Sequence, residues 1–168
     1  MKHRLLVLLT VVFLFACAAT PPADTVTLYL IRHAETVSSS VNPDRPLNPE
    51  GLQRAAWLGE HFANLPVDQL YSTNITRTLQ TIAPVARSKS LTINHYNPGE
   101  LEPFADELRQ LSGPALVAGH SNTTPALLNA LERSNNHEQI DDAEHGLIFI
   151  VHMLDGEVHS VDVERSEP

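Results

Sequence analysis

Short unbroken apolar runs alternate along this chain with longer stretches in which apolar residues recur every three or four positions. The first run, Val26-Thr27-Leu28-Tyr29-Leu30-Ile31, predicts a buried strand that stops abruptly at Arg32-His33. A helix is predicted next, entered through Asn48 as cap and Pro49 in the first turn, with Leu52, Ala55, Ala56, Gly59, Phe62 and Ala63 on its apolar face. Asp68 to Thr73 reads as a short strand, and Asn74 as the cap of a second helix that ends or kinks near Pro84. Leu91 to Tyr96 alternates like a strand, Leu101 to Leu111 is amphipathic, and Pro114 to His120 is a second buried strand leading into a helix entered through Ser121 or Asn122. Two final strands, from Gly146 and from Val158, flank Asp155-Gly156, a hairpin signal. The alternation predicts one α/β domain with a mostly parallel sheet and an antiparallel C-terminal hairpin.

Three of these elements deliver chemistry to one edge. The first strand ends in Arg32-His33, the second leads into a helix with Arg77 in its first turn, and the Pro114 strand ends at His120. Arg32-His33 alone fits an ordinary strand end meeting solvent. In a parallel sheet, however, the C-terminal ends of strands lie together, where ligands bind, and helix N-termini there add N–H donors and a positive dipole end. Two Arg and two His at such an edge suit a phosphoryl group.

Composition narrows the reading. The chain has 168 residues, 42% apolar and 18% charged, which is one globular domain rather than two. A formal charge of -9 argues against a nucleic-acid partner, which needs a basic footprint. Nine His invite a metal reading, but none forms the i,i+4 pair of a zinc helix or a Cys/His cluster. His61, His95, His137, His145, His152 and His159 are therefore read as ordinary structural or surface residues, with the site rim as the alternative for His145, and no metal or other cofactor is expected.

The first residues read as a leader, with Lys2, His3 and Arg4 before an apolar stretch from Leu5 to Ala16. Leu14-Phe15-Ala16-Cys17 resembles the bacterial lipobox, and Cys17 is the only cysteine. That resemblance implies a signal peptide over 1–16, lipidation of Cys17, a tether over 17–25 and a domain over 26–168. It also implies membrane attachment through the lipid and an envelope location, at the outer membrane facing the periplasm.

"LIRHAET", "LNPEGLQRA", "YSTNITRTLQT" and "VAGHSNT" resemble, in order and spacing, the blocks of the histidine phosphatase superfamily, also called phosphoglycerate mutase-like. The resemblance implies a three-layer fold, with helices on both sides of the sheet, and a metal-free phosphoric monoester hydrolase. His33 would be the nucleophile that becomes phosphorylated, Arg32 and Arg77 the phosphate clamp, and His120 a donor to phosphate oxygen. The acid for the leaving group would follow the middle strand, at Glu100 with Glu102 as rival; Ser121 takes the place of the Asp that another branch uses. Ala34 replaces a common Gly, and Ser39, a candidate phosphate donor, stands where Asn is frequent. The chain lacks the long insertions that cap the mutases, so it looks more like the short phosphohistidine-phosphatase branch. The implied substrate is a phosphorylated small molecule or an envelope glycoconjugate. The alternatives are a phosphoglycerate mutase-type phosphotransferase and a phosphate-binding protein that has lost turnover.

Overall fold

A computed structural model describes residues 25–38 and 41–167 of the chain. The leader, Cys17, most of the tether and Ser39 lie outside the described residues.

Six strands form a single sheet in the order β3-β2-β4-β1-β5-β6. The elements in chain order are β1 (Thr25–Arg32), α1 (Pro49–His61), β2 (Gln69–Ser72), α2 (Thr76–Lys89) and β3 (Ile93–His95). They continue with α3 (Leu101–Arg109), β4 (Ala115–Gly119), α4 (Thr123–Glu132), β5 (Leu147–Leu154) and β6 (Glu157–Arg165). β3, β2, β4 and β1 run parallel, whereas β5 is antiparallel to β1 and to β6. Thr25, assigned from sequence to the tether, is the first residue of β1 and pairs with Leu154. Asp155 and Gly156 both have positive φ, the turn geometry that matches the twist of a tight hairpin.

The apolar run of β1 is continuous because both its faces are covered. Val26, Leu28 and Leu30 join a core with Phe104 and Leu108 of α3 and Leu127 and Leu131 of α4. Tyr29 and Ile31 point the other way, into a core with Leu58 of α1, Phe62, and Ile82 and Val85 of α2. This is the three-layer α/β architecture expected from the sequence.

Three local expectations are corrected. On α1 the buried residues are Gly51, Ala55, Leu58 and Gly59, while Leu52 and Ala56 are exposed, as is Ala63 beyond it. Gly51 takes the inward place because the Glu35 carbonyl lies where a Cβ would sit. α2 does not end at Pro84 but continues to Lys89, with the proline ring packed against Gly59 of α1. Burial of that helix face offsets the lost backbone hydrogen bond, a loss that costs an isolated helix about 3 kcal/mol or more. Asn74 does not cap α2: the N-cap residue is Ile75, and Asp44 from the loop between β1 and α1 accepts from the Thr76 N–H at 2.8 Å and from its hydroxyl at 2.7 Å. The Asn48 cap of α1 is as read, its side chain accepting from Gly51 N–H at 2.8 Å.

Candidate active site

β1 and β4 are neighbours, but α1 and α4 leave them toward opposite faces of the sheet, which opens a crevice beyond their C-terminal ends. A cavity of about 810 Å³ occupies it, and Arg32, His33, Arg77 and His120 all line it. The four residues come from three separate strand–helix junctions. Gly119, at the end of β4, permits the close packing beneath: an added Cβ would meet the Tyr96, Thr123 and Thr124 hydroxyl oxygens at 2.8 to 3.0 Å.

His33 is buried, and its Nδ1 lies 2.8 Å from the Ala34 carbonyl. A carbonyl can only accept, so Nδ1 carries the proton and Nε2 keeps its lone pair. Burial, reinforced by Arg77, Arg32 and His120 and opposed by the Ala34 hydrogen bond, pushes the imidazole from the ordinary 6.5 down to about 3. The ring is therefore neutral and oriented, the state a nitrogen nucleophile requires.

Arg32 is 8% exposed, and its terminal nitrogens donate to the carbonyls of Asp141 (2.9 Å), Glu144 (2.7 Å) and Asp142 (3.2 Å). It thus fastens the loop before β5 over the site as well as adding charge to it. Arg77 donates to the Pro43 carbonyl at 3.3 Å and toward His120 Nδ1 at 3.2 Å. In both arginines Nε–H is buried without a partner. Arg109, outside this cavity, shares that feature. Two arginine side chains lining one cavity suit a bound oxyanion.

His120 lies 5.5 Å from His33, ring centroid to centroid. Burial, then the charges of Arg77 and Arg32, lowers it to about 4. Between roughly pH 6.5 and 4 the unfolded chain binds protons at His33 and His120 that the native state refuses, so stability falls as pH is lowered through this window. Urea midpoints between pH 8 and 4.5 should show this decline, and a His33→Asn/His120→Asn variant should show a flatter one. Identical slopes would place the titration elsewhere.

Glu100, the N-cap residue of α3, is exposed and makes no side-chain capping bond; Pro98 and Gly99 line the cavity, but neither Glu100 nor Glu102 does. Glu35, Arg45 and Asp142, which sequence reasoning passed over, line it, and so does His145, for which the site rim is the alternative reading. His145, read as a surface residue, packs 5.9 Å from the His33 ring, with its Nδ1 3.1 Å from the His33 carbonyl. Glu35 is gripped by Arg54 of α1 through Nε at 3.0 Å to both carboxylate oxygens, and Arg54 also donates to the Ser166 carbonyl at 2.9 Å. Burial alone would raise the Glu35 carboxyl, but Arg54 more than offsets it and holds the group ionised. Glu35 and Arg54 stand inside the sequence blocks quoted above and could have been paired from them. Arg45 and His145 sit in polar loops with no periodicity to expose them. Among the described residues no group of three or more His, Cys, Asp or Glu side chains is placed to hold a metal ion.

The strand order is that of a phosphoglycerate mutase-like α/β fold. Residues 28–97 match the model of the histidine phosphatase superfamily (branch 1), in keeping with the resemblance of the sequence blocks. The protein histidine phosphatase SixA complexed with tungstate superposes with a TM-score of 0.71 at 15% identity, over 83% of this chain and 96% of that one. A mycobacterial glucosyl-3-phosphoglycerate phosphatase gives 0.63 at 11% identity, over 84% and 97%. At these identities the likeness establishes the fold. In sequence, 59 residues are 36% identical to a 2,3-bisphosphoglycerate-dependent phosphoglycerate mutase of Chlamydia muridarum; they amount to 32% of this chain and only 26% of the mutase.

Proposed function

We propose that this protein is a phosphatase that hydrolyses phosphate monoesters through a phosphohistidine on His33. The observation that carries this reading is the neutral, buried imidazole whose Nδ1 is tied to a carbonyl, set among Arg32, Arg77 and His120 in one cavity. His33 Nε2 attacks phosphorus, the bond to the leaving oxygen breaks, and that oxygen takes a proton. Water then attacks the phosphohistidine, the N–P bond breaks, and inorganic phosphate leaves. The arginines stabilise charge on the transferring group in both steps, which is most of what phosphoryl transfer asks of a protein. Rapid acid- and base-quench with a labelled phosphomonoester tests this. The expected product is an acid-labile, base-stable phosphoenzyme mapping to the His33 peptide; failure to label during turnover would exclude the covalent route.

Glu100 is the proposed proton source, placed one residue beyond the cavity-lining Gly99. Its replacement by Gln should lower turnover of a sugar phosphate by roughly 10²-fold or more while sparing an activated aryl phosphate, whose leaving group needs no proton. Equal effects on both substrates would remove Glu100 from that role, and the same comparison with Glu102→Gln tests its rival.

The envelope anchor is part of the proposal. β1 carries the chain from Thr25 to Arg32, about 25 Å at strand rise, so an anchor at Cys17 would attach at the end of the sheet opposite the cavity. That polarity favours phosphorylated molecules in the periplasm over headgroups of the anchoring membrane. Cys17→Ser should leave the protein in the soluble fraction or as uncleaved precursor; a variant processed and membrane-bound like the wild type would count against lipidation.

A further inference from the structure

His120 is held by bonds on both ring nitrogens, and together they leave it no proton to offer an anion. Arg77 Nη2, an obligatory donor, lies 3.2 Å from Nδ1, so Nδ1 is an acceptor. On the other side Nε2 is 3.0 Å from the Thr73 hydroxyl. The direction of that second bond follows from what lies behind it. The Thr78 hydroxyl is 2.8 Å from the Ile75 carbonyl and 3.0 Å from the Thr73 carbonyl, neither of which can donate. Thr78 therefore gives its proton to a carbonyl and accepts from the Thr73 hydroxyl, 2.8 Å away. Thr73, its proton committed, accepts from His120 Nε2–H. Thr73 and Thr78 are both fully buried, so water does not compete for this relay. In the free protein the Arg77 contact favours the same tautomer, and once an anion engages Arg77 the threonine chain is what holds it.

We propose that Thr73, backed by Thr78, is a positioning residue that locks neutral His120 as the Nε2–H tautomer, so that binding a dianionic oxyanion beside Arg77 requires uptake of a proton at His120 Nδ1. An unprotonated Nδ1 presents a lone pair to an anion. An imidazolium, still hydrogen-bonded to Thr73 through Nε2, presents a charge-assisted donor instead. The charged groups facing the ring are Arg77 from α2 and Arg32 from β1, with titratable His33 beside them. Both arginines oppose protonation of the ring. A dianion placed among them reverses that balance. Substrate would then be taken up together with the proton that turns His120 into a donor. This inference rests on reading the cavity as an oxyanion site.

Tungstate is a suitable probe because it remains a dianion around neutral pH. Calorimetric titration at pH 7.5 in buffers of different ionisation enthalpy should report uptake of close to one proton per tungstate. Long-range ¹H–¹⁵N spectra of the histidine rings should show His120 as Nε2–H without tungstate and doubly protonated with it. Thr73→Val frees Nε2, so Nδ1 can carry the single proton of a neutral ring; proton uptake should fall to less than half, and Thr73→Ser should restore it. A threonine that served packing alone would lower stability in Val without changing proton uptake. An Nδ1–H tautomer in the free protein, a bound state in which His120 remains neutral, or uptake residing on His33 would each overturn the proposal. Absence of tungstate binding would instead reject the oxyanion site itself, and the free-protein spectra of Arg77→Ala with and without Thr73→Val would still decide what Thr73 does: Nε2–H kept in the first and lost in the second supports the lock, and no difference overturns it.

Discussion

His33→Ala should abolish the proposed phosphoenzyme and lower turnover by on the order of 10⁴-fold or more, the scale expected when the nucleophile of a covalent route is removed. The loss arises because His120, the other histidine set between the two arginines, cannot substitute: its Nδ1 faces Arg77 and its Nε2 faces Thr73. The remaining cations still bind anions, so tungstate should continue to raise the melting temperature of the variant. Retained turnover in His33→Ala would remove this residue from the chemistry, whereas lost turnover together with lost anion binding would mean that the cavity had collapsed. Measuring both separates a missing nucleophile from a damaged site.

Arg32→Ala and Arg77→Ala should both cost turnover, but by different routes. Arg77 makes one carbonyl contact in an exposed setting and one contact with His120, so its removal acts chiefly on the anion and on the His120 proton balance. Hydrogen bonds to charged groups contribute about 1.5–3 kcal/mol each, so loss of one such contact weakens tungstate affinity by roughly 10- to 100-fold. Arg32 carries that role and another: its guanidinium holds three carbonyls between Asp141 and Glu144, and that loop brings His145 and Asp142 to the cavity. Arg32→Ala should therefore also lower the urea midpoint clearly, while Arg77→Ala should leave it nearly unchanged. Lys at position 32 supplies the charge without the planar fork and should restore neither property fully. Equal stabilities for the two alanine variants would show that the loop does not depend on Arg32.

Much of this was legible along the chain. Period-two and period-3.6 patterns are local, and they located every strand and helix. The parallel order followed from their alternation, and the junction residues Arg32, His33, Arg77 and His120 followed from where strands stop. What failed locally was decided by neighbours distant in sequence. Pro84 does not end α2 because Gly59 offers it a surface, Asn74 does not cap α2 because Asp44 arrives from another loop, and Leu52 faces solvent because the Glu35 carbonyl admits only Gly51.

The site divides the same way. Sequence by itself determined which Arg and His side chains stand at the strand ends and the edge of the sheet that gathers them, because a parallel sheet places successive strand ends together whatever its loops do. Only the tertiary structure decided which nitrogen of His33 and of His120 carries the proton, that Arg32 is committed to a loop more than 100 residues away in sequence, and that His145 and Arg45 belong to the cavity. The physical reason is range. Strand and helix formation is set by side chains a few residues apart, whereas a tautomer or a guanidinium's partners depend on donors and acceptors within hydrogen-bond reach, about 3 Å, whichever part of the chain supplies them.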